Sequence, residues 1–347
     1  MIRVLPSDCE YFQSSRSFKS PRDNWTVVHR STLELSPVVE AGLSQQEALQ
    51  VLQAARTDAA GGGVTALELL QKEAEIKSIV TFCSHLDKAL RGGIPVGKTT
   101  ELCGAPGVGK TQLCLQLAVD VQVPQCFGGV EGHVIYVDTE GSFLLQRVVD
   151  MAAAAVRHCS LLAEDEEQRV AMETFTVETI LSNIYMVRCR DYEELLAELH
   201  LLPDFLSERP KVRLLVIDSV ASPFQQLFDE LSQRTRLLNS LAQRLIAMAT
   251  SHHIAVVITN KMTTRLRSGQ SQLVPALGEN WGHAPTIRLL LHWEGPRRLV
   301  TIFKSPGHMD ATVQYQITAD GFRDTDQSEQ PQSKRRHTQV DQSAASC

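Results

Sequence analysis

The eight residues at positions 104–111, GAPGVGKT, have the types and spacing of a loop that holds nucleotide phosphates, G-x-x-x-x-G-K-[ST]. Glycines let the backbone turn its N–H groups onto phosphate oxygens, and a helix that begins at the loop adds a favourable dipole. Lys110 is suited to reach the β- and γ-phosphates, and the Thr111 hydroxyl is suited to bind Mg²⁺. The pattern predicts a site for ATP and Mg²⁺ made of Gly104, Ala105, Pro106, Gly107, Val108, Gly109, Lys110, Thr111 and Gln112.

The flanks of this loop decide between a phosphate site and a glycine-rich turn that binds nothing. Residues 99–103, TTELC, are apolar and rich in β-formers, and residues 112–121 repeat apolar side chains at helical spacing. Strand, loop and helix therefore follow in the order that a phosphate site requires. Strands and helices continue to alternate from about 65 to 322, which predicts an α/β fold with a mostly parallel sheet covered by helices.

Two other apolar strands end in carboxylates. In residues 133–143, HVIYVDTEGSF, Glu140 follows the strand and is a candidate for orienting the water that attacks a phosphate. In residues 213–219, RLLVIDS, Asp218 ends the strand where it could bind Mg²⁺ through water molecules. Taken alone, Asp218 could be a simple turn former, but a phosphate loop upstream favours the metal role.

A third strand, residues 252–260, leads into a segment with no clear period and many glycine and serine residues, 262–284. Its Arg265 and Arg267 could meet the phosphates of single-stranded DNA, and residues 222–231 form a second possible loop. A mobile surface loop with solvated charge explains the same pattern equally well.

Composition limits the classes of protein. A chain of 347 residues, 43% hydrophobic, can bury one large core and a small accessory domain, and a net charge of −6 argues against a wholly basic nucleic-acid coat. No apolar run is long enough to span a bilayer and the first residues lack a signal-peptide core, so we expect a soluble intracellular protein without a membrane partner. Eight scattered cysteines without C-x-x-C predict reduced thiols and no zinc site.

Five regions are predicted along the chain: an unassigned, loose segment at 1–30, a partial helical domain at 31–60, a linker at 61–78, an ATPase domain at 79–322 and a disordered polar tail at 323–347. The partial domain contains a helix signature within 36–58. The tail carries a basic cluster, Lys334, Arg335, Arg336 and His337, typical of a nuclear-import signal, although short basic runs also arise by accident.

Several motifs together resemble the eukaryotic RecA-type recombinases: GAPGVGKTQLCLQLAV, GGVEGHVIYVDTEGSF, LLVIDSVASPF, LSQRTRLLNSLAQRL and IAVVITNKM. The resemblance covers about residues 31–325 and points within that family to a paralogue of the strand-exchange recombinase. It implies a RecA-like ATPase of homologous recombination that assembles with sister paralogues. Such a protein would help the main recombinase form filaments on single-stranded DNA at double-strand breaks and stalled forks, and could act on branched DNA such as Holliday junctions in the nucleus, with some cytoplasmic protein.

The resemblance also assigns roles to single residues. It gives Lys110, Thr111, Glu140 and Asp218 the functions argued above, places Arg147 near the nucleotide base and Arg234 near DNA, and makes 222–233 and 261–283 the two DNA-facing loops.

Three features of the sequence depart from the family pattern. Lys261 replaces a glutamine that couples nucleotide state to DNA, Lys304 replaces an aspartate that caps a neighbour's ATP, and GVTA at 63–66 replaces an aromatic tether between identical subunits. A hetero-complex is therefore expected rather than a homopolymer.

Two other classes of function stay open. A nucleoside or nucleotide kinase would share the loop but needs an arginine-rich lid, and an ATP-gated structural subunit would hold ATP with little hydrolysis.

Overall fold

The structure, a computed structural model, describes residues 3–4, 65–75, 77–224, 231–267, 270–307 and 310–325. The helix signature within 36–58, the predicted domain at 31–60 and the basic cluster of the tail lie outside the described residues. None of the described helices is both long and apolar enough to cross a bilayer.

The strands, in chain order, are β1 (Arg3–Val4), β2 (Ser78–Ile79), β3 (Ile94–Pro95), β4 (Thr99–Gly104), β5 (His133–Asp138), β6 (Ile184–Arg188), β7 (Val212–Asp218), β8 (Ala255–Asn260), β9 (Met262–Arg267), β10 (Gln270–Pro275), β11 (Ile287–Glu294), β12 (Arg297–Lys304), β13 (Thr312–Thr318) and β14 (Gly321–Asp324). The helices are α1 (Ala66–Glu75), α2 (Ser84–Ala89), α3 (Lys110–Asp120), α4 (Leu145–Leu162), α5 (Glu166–Thr174), α6 (Val177–Ser182), α7 (Tyr192–Glu208), α8 (Ala221–Phe224), α9 (Leu231–Ser251) and α10 (Gly278–Gly282). A short 3₁₀ turn lies at Gln125–Phe127.

Ten of the described strands form one sheet in the order β1-β6-β5-β7-β8-β4-β11-β12-β13-β14. Neighbours from β1 to β11 run parallel, and the last three pairs are antiparallel. The predicted mostly parallel sheet flanked by helices is confirmed. Because parallel strands end at one edge, the residues after β4, β5, β7 and β8 meet at that edge.

The sheet separates two apolar clusters. Val134 and Tyr136 of β5 belong to one cluster, together with residues of α3, α4 and α6, whereas Ile135 and Val137 belong to the other, together with residues of α7 and α9. Burial on both faces explains why the central strands read as nearly continuous apolar runs. The C-terminal ends of these strands are consequently held by a core on either side.

The structure differs from the sequence prediction in three segments. The segment expected to be irregular contains a regular hairpin, β9 and β10, with Arg267 opposite Gln270 and Met262 opposite Pro275, followed by α10. Helix α1 lies within the predicted linker. Strand β14 continues to Asp324, so the ordered sheet extends two residues beyond the predicted end at 322.

Candidate functional site

The predicted phosphate loop lies between β4 and the start of α3, at the carboxyl edge of the sheet. A cavity of about 560 Å³ opens there. Among the predicted residues, its lining includes Pro106, Gly107, Gly109, Lys110, Thr111, Gln112, Glu140 and Asp218. The structure therefore brings together in one cavity the residues predicted for phosphate, metal and water.

Val108 and Gly109 show how the loop is packed against the sheet. Val108 is fully buried, and its carbonyl accepts a hydrogen bond of 2.6 Å from the Tyr315 hydroxyl. Gly109 has φ of +109°, and a side chain there would approach Ile317 to 2.5 Å. The loop conformation thus depends on glycine and on close packing against β13.

No side chain caps the N-terminus of α3, where Gly109 is the N-cap residue. The first backbone N–H groups of a helix lack partners within the helix, and anionic ligands are favoured there. This geometry suits a phosphate group.

Lys110 lies at the first turn of α3, and its Nζ donates to the carbonyls of Gly104 at 2.8 Å and Ala105 at 3.1 Å. Burial lowers the pKa of this ammonium group below its ordinary value, and the carboxylates of Asp218 and Glu140 act in the opposite direction. The side chain is thus held at the loop by its own backbone.

Asp218 is almost fully buried at the end of β7. Its Oδ2 accepts hydrogen bonds from the Thr111 hydroxyl at 2.7 Å and the Tyr136 hydroxyl at 3.1 Å, and its Oδ1 accepts one from Thr259. Hydroxyl and carboxylate oxygens side by side are ligands that suit Mg²⁺, either directly or through water. Among the described residues, no group of three or more histidine, cysteine, aspartate or glutamate side chains could hold a metal ion, so any ion here would rely on the nucleotide and water for further ligands.

Glu140 follows β5 in a turn that a buried carboxylate fixes. Asp138 Oδ1 accepts the backbone N–H groups of Glu140 at 3.1 Å and Gly141 at 2.8 Å, and Asp138 Oδ2 pairs with Arg188 at 2.7 Å. Glu140 Oε1 accepts a hydrogen bond from the Ser219 hydroxyl and lies 3.1 Å from Lys261 Nζ. The Glu140 carboxylate, the candidate water-orienting group, is thereby held by the residues that follow β7 and β8.

Arg147 lies beside the loop without lining the cavity. Its Nε donates to Gln112 Oε1 at 2.8 Å, and its Nη atoms donate to the carbonyls of Thr318 and Ala319. The guanidinium group therefore joins α4 to the turn after β13, and its predicted place near a base stays a prediction.

A second cavity, of about 410 Å³, lies between α9, the β9–β10 hairpin and α10, and both Arg234 and Arg265 line it. Arg234 Nη2 donates to the Ala276 carbonyl at 3.3 Å, and Arg265 Nη1 pairs with Glu279 at 2.6 Å. Arg267 ends β9, at the far end of the hairpin. Two of the three arginines predicted to contact DNA therefore share one concave surface.

A buried carboxylate connects the hairpin's base to the sheet. Glu101 is fully buried in β4 and accepts hydrogen bonds from Asn260 Nδ2 at 2.8 Å, Trp281 Nε1 at 2.7 Å and Arg288 Nε at 2.5 Å. Nearby, Lys304 Nζ donates to the carbonyls of Gly282, His283 and Pro285. The Lys304 ammonium group is thus held by three carbonyl groups of its own chain.

Sequence reasoning missed several cavity residues because their roles depend on partners distant in sequence. These are Ser219, Thr259, Arg298 and Ile317, together with the pairing of Lys261 to Glu140. The position of Ser219 and Thr259 at strand ends was the available signal. Arg298 and Ile317 come from antiparallel strands that carry no recognisable motif.

The comparisons with known proteins identify the family of the chain. A profile of the Rad51 family matches residues 72–325. The chain belongs to the Rad51 family. The expected RecA-like fold and the resemblance to recombinase paralogues are thereby confirmed.

Residues 65–73, TALELLQKE, 81–95, TFCSHLDKALRGGIP, and 278–284, GENWGHA, also resemble the paralogue designated C, and the relatives support this. The chain is 54% identical over 300 residues to the DNA repair protein RAD51 homolog 3 of Cricetulus griseus, covering 82% of each chain. It is 42% identical over 267 residues to the protein of the same name from Dictyostelium discoideum, covering 76% of this chain and 70% of that one. The DNA repair protein RAD51 homolog 2 of Mus musculus is 32% identical over 327 residues, covering 84% and 88%.

Proposed function

We propose that this chain is a DNA-acting ATPase of homologous recombination, working in DNA repair as a paralogue of the main strand-exchange recombinase. The observation that carries the proposal is the single cavity that unites the phosphate loop, the Thr111–Asp218 pair and Glu140. The relatives named as DNA repair proteins and the family as a whole support the repair role.

The chemistry follows from the residues in the cavity. Lys110 and the N–H groups at the start of α3 bind the phosphates of ATP, and Thr111 and Asp218 would hold Mg²⁺. The ion would supply positive charge that offsets the negative charge of the phosphates. Glu140 orients a water molecule toward the γ-phosphorus. Addition of that water across the terminal phosphoanhydride bond gives ADP and phosphate.

DNA binding is assigned to the surface on which α9 and the hairpin meet. Arg234 and Arg265 line its cavity, and Arg267 lies at the hairpin end. Guanidinium groups bind backbone phosphates without reading sequence, which suits single-stranded DNA and branched DNA. With a net charge of −6, the chain depends on such a local surface for this binding.

The partners we propose are sister paralogues and the main strand-exchange recombinase, whose filaments on single-stranded DNA at breaks and stalled forks this protein would promote. Similarity to two different RAD51 homologs supports a place among related subunits. We propose a nuclear location, with some protein in the cytoplasm, on the basis of the basic cluster at 334–337, outside the described residues.

A second candidate is an ATP-gated structural subunit that holds ATP between paralogues and seldom hydrolyses it. The observation that favours it is the contact of Lys261 with Glu140, because a cation on this carboxylate competes with the water that it would orient.

One experiment separates the two candidates and tests both. ATP turnover of the full chain is measured with and without single-stranded DNA, with Lys110→Ala as the blank. The ATPase proposal expects turnover that rises with DNA and disappears in Lys110→Ala, which should keep its fold because its Nζ bonds only neighbouring loop carbonyls. Binding of ATP without turnover would favour the structural subunit, and absence of ATP binding would overturn both.

A further inference from the structure

A further cavity, of about 380 Å³, lies at the edge of the sheet opposite the nucleotide site, and we call it the opposite-edge cavity. His133 begins β5, Lys211 directly precedes β7, and both residues line it. Helices α5 and α6 and the 3₁₀ turn provide the other walls. Of the described residues that line this cavity, none is assigned above to ATP or to DNA.

One lining residue, Gln122, carries a buried hydrogen-bond acceptor without a donor. Gln122 is only 6% exposed. Its Nε2 donates to the carbonyls of Ala118 and Ile180, both at 3.0 Å, which fixes the orientation of the amide group. Its Oε1 has no hydrogen-bond partner among the described residues. Because a buried acceptor is costly to leave unpaired, a ligand with an N–H group is favoured here.

His133 provides a second unpaired atom. Its Nδ1 is buried and has no partner in the described part of the chain. Burial lowers the pKa of His133, and the charge of Lys211 acts in the same direction, so the ring is neutral at neutral pH. In one of its two neutral tautomers, Nδ1 accepts a hydrogen bond.

Carboxylates give the mouth of the cavity a negative charge. Glu131 and Glu167 line it and are exposed, and neither carboxylate forms a hydrogen bond or an ion pair with another described residue. Burial, and then the carboxylates of Glu167, Asp165 and Glu131, raise the pKa of Cys126, which lines the same cavity. Among the described lining residues Lys211 is the one cation, and its exposed side chain can keep its ammonium group in water.

These two kinds of group determine which ligand fits. Unpaired acceptors inside a cavity require N–H donors, and carboxylates at its mouth favour positive charge. A guanidinium group has five N–H donors in a planar fork, is more weakly hydrated than an ammonium group, and pairs with carboxylates at two points. An arginine side chain therefore suits this cavity better than a lysine side chain does.

We propose that the opposite-edge cavity binds a guanidinium group, and that the group belongs to the chain's own basic cluster at 334–337, which lies outside the described residues. Its partners are Gln122 Oε1 and the carboxylates of Glu131 and Glu167. The inference goes beyond the proposed function and needs neither ATP nor DNA. A docked cluster is covered, so an import receptor has to compete with the cavity for the same side chains.

The described chain ends close enough to the cavity for this cluster to reach it. The Arg323 guanidinium lies 4.8 Å from the centroid of the Phe82 ring, which packs against the His158 ring of α4 at 5.3 Å. Glu167 follows His158 by nine positions, the first four of them helical, so the two lie within about 25 Å of each other. The ten positions from 325 to 335 can span up to about 35 Å.

The first experiment measures binding of a labelled peptide, residues 330–341, QPQSKRRHTQVD, to the full chain by fluorescence anisotropy. In the cluster variant, Lys334→Gln, Arg335→Gln and Arg336→Gln are combined. The peptide should bind the cluster variant at least about fivefold more tightly than the wild type, because the tethered wild-type cluster competes at an effective concentration near millimolar.

Two pairs of substitutions, each made in the cluster variant, locate the site. Glu131→Gln with Glu167→Gln should weaken the peptide about tenfold, since two ion pairs are lost. Glu193→Gln with Glu208→Gln removes the same charge from exposed positions of α7 and should change the affinity by less than about twofold. A peptide with lysine in place of both arginines should bind several-fold more weakly.

A second experiment examines the contact within one chain. Carbodiimide coupling joins a lysine ammonium group to a carboxylate that touches it. In dilute wild-type protein, mass spectrometry should find Lys334 coupled to Glu131 or Glu167 within a single chain, and salt at about 0.5 M should suppress the product.

The contrary results separate the site from its occupant. If the wild type and the cluster variant bind the peptide equally, or if Lys334 forms no product within the chain at low salt, the chain's own cluster is not the occupant and that part of the proposal is overturned. Equal weakening by both pairs of glutamate substitutions, equal affinity for the arginine and lysine peptides, or no binding to the cluster variant would overturn the guanidinium site itself.

Discussion

At the residue scale, Glu140 has the most specific environment in the cavity. Ser219 and Lys261 both contact its Oε1, while the backbone turn that carries it is fixed by Asp138. A carboxylate held in this way can orient water without a change of backbone. The proposed function therefore assigns the binding of ATP to Lys110 and its hydrolysis to Glu140.

We expect Glu140→Gln to lower ATP turnover by about 100-fold or more, the usual range for loss of a group that assists proton transfer, while triphosphate binding is retained. Single-turnover hydrolysis and equilibrium binding measure the two effects separately. Glu208→Gln, exposed at the end of α7, is a matched control. Turnover unchanged in Glu140→Gln would assign the water to another group.

The sequence could predict those residues whose roles depend on neighbours in the same short segment. Lys110 and Thr111 are defined by neighbours in one loop, so the motif located both. The contact of Lys261 with Glu140 joins residues 121 positions apart in the chain and requires that β5, β7 and β8 lie in one order in the sheet. No local pattern contains that order.

At the element scale, the β9–β10 hairpin is a regular element built largely from polar residues. Its residues lack apolar alternation, so the sequence predicted an irregular segment, whereas cross-strand pairing supplies the order. A search of the sequence for periodic apolar faces therefore does not detect such a hairpin. Arg265 of the hairpin and Arg234 of α9, both predicted to contact DNA, line one cavity, and their contact with DNA stays a prediction.

We expect Arg265→Ala to weaken binding of single-stranded DNA and to reduce the slope of log affinity against log salt by about one. The reason is that one phosphate contact releases about one counterion. Fluorescence anisotropy at several salt concentrations measures the slope, and Arg267→Ala is expected to act in the same direction. Arg157, an exposed arginine of α4, pairs with Asp320 and serves as the control. Arg157→Ala should leave the slope unchanged. A slope that Arg265→Ala leaves unaltered would remove the hairpin from the DNA path.

Asp324 joins the last strand to the start of α2. Its carboxylate accepts hydrogen bonds from Ser84 N and Oγ, both at 2.7 Å, and from His85 N at 3.1 Å. Burial alone would raise the pKa of Asp324, but the hydrogen bonds from Ser84, Cys83 and His85 lower it well below its ordinary value. The Asp324 side chain thus connects the end of β14 to the start of α2.

We expect Asp324→Asn to lower the free energy of unfolding by about 1 kcal/mol at neutral pH, the usual value of a helix cap. A depressed pKa stabilises the fold above the ordinary aspartate pKa of 3.8 and loses this contribution as the pH falls below it. The difference between variant and wild type should therefore shrink below about pH 4. Urea unfolding at several pH values measures it, with Asp320→Asn, in an exposed pair, as the control. A difference independent of pH would exclude the charge as the cause.

At the scale of the whole molecule, Glu101 links the elements that bear the two cavities. It receives Asn260 from the strand that leads to Lys261, Trp281 from the helix after the hairpin, and Arg288 from β11. All of these side chains are buried. Burial of Arg288 would lower its pKa, but Glu101 and Cys103 together raise it above its ordinary value, so the guanidinium stays charged inside the core.

We expect Glu101→Ala to cost about 3–5 kcal/mol of unfolding free energy, because it leaves the Arg288 charge buried without its carboxylate. The double variant Glu101→Leu with Arg288→Met should be far less destabilised, since apolar groups of similar volume can replace a buried ion pair at little cost. Urea unfolding of both variants gives the comparison. If the core merely needed volume at position 101, Glu101→Leu alone would be as stable as the double variant. A large loss of stability in that single variant would instead identify the unpaired Arg288 charge as the cause. The ion pair would then count among the interactions that hold the nucleotide-binding edge of the sheet and the hairpin in a fixed relative position.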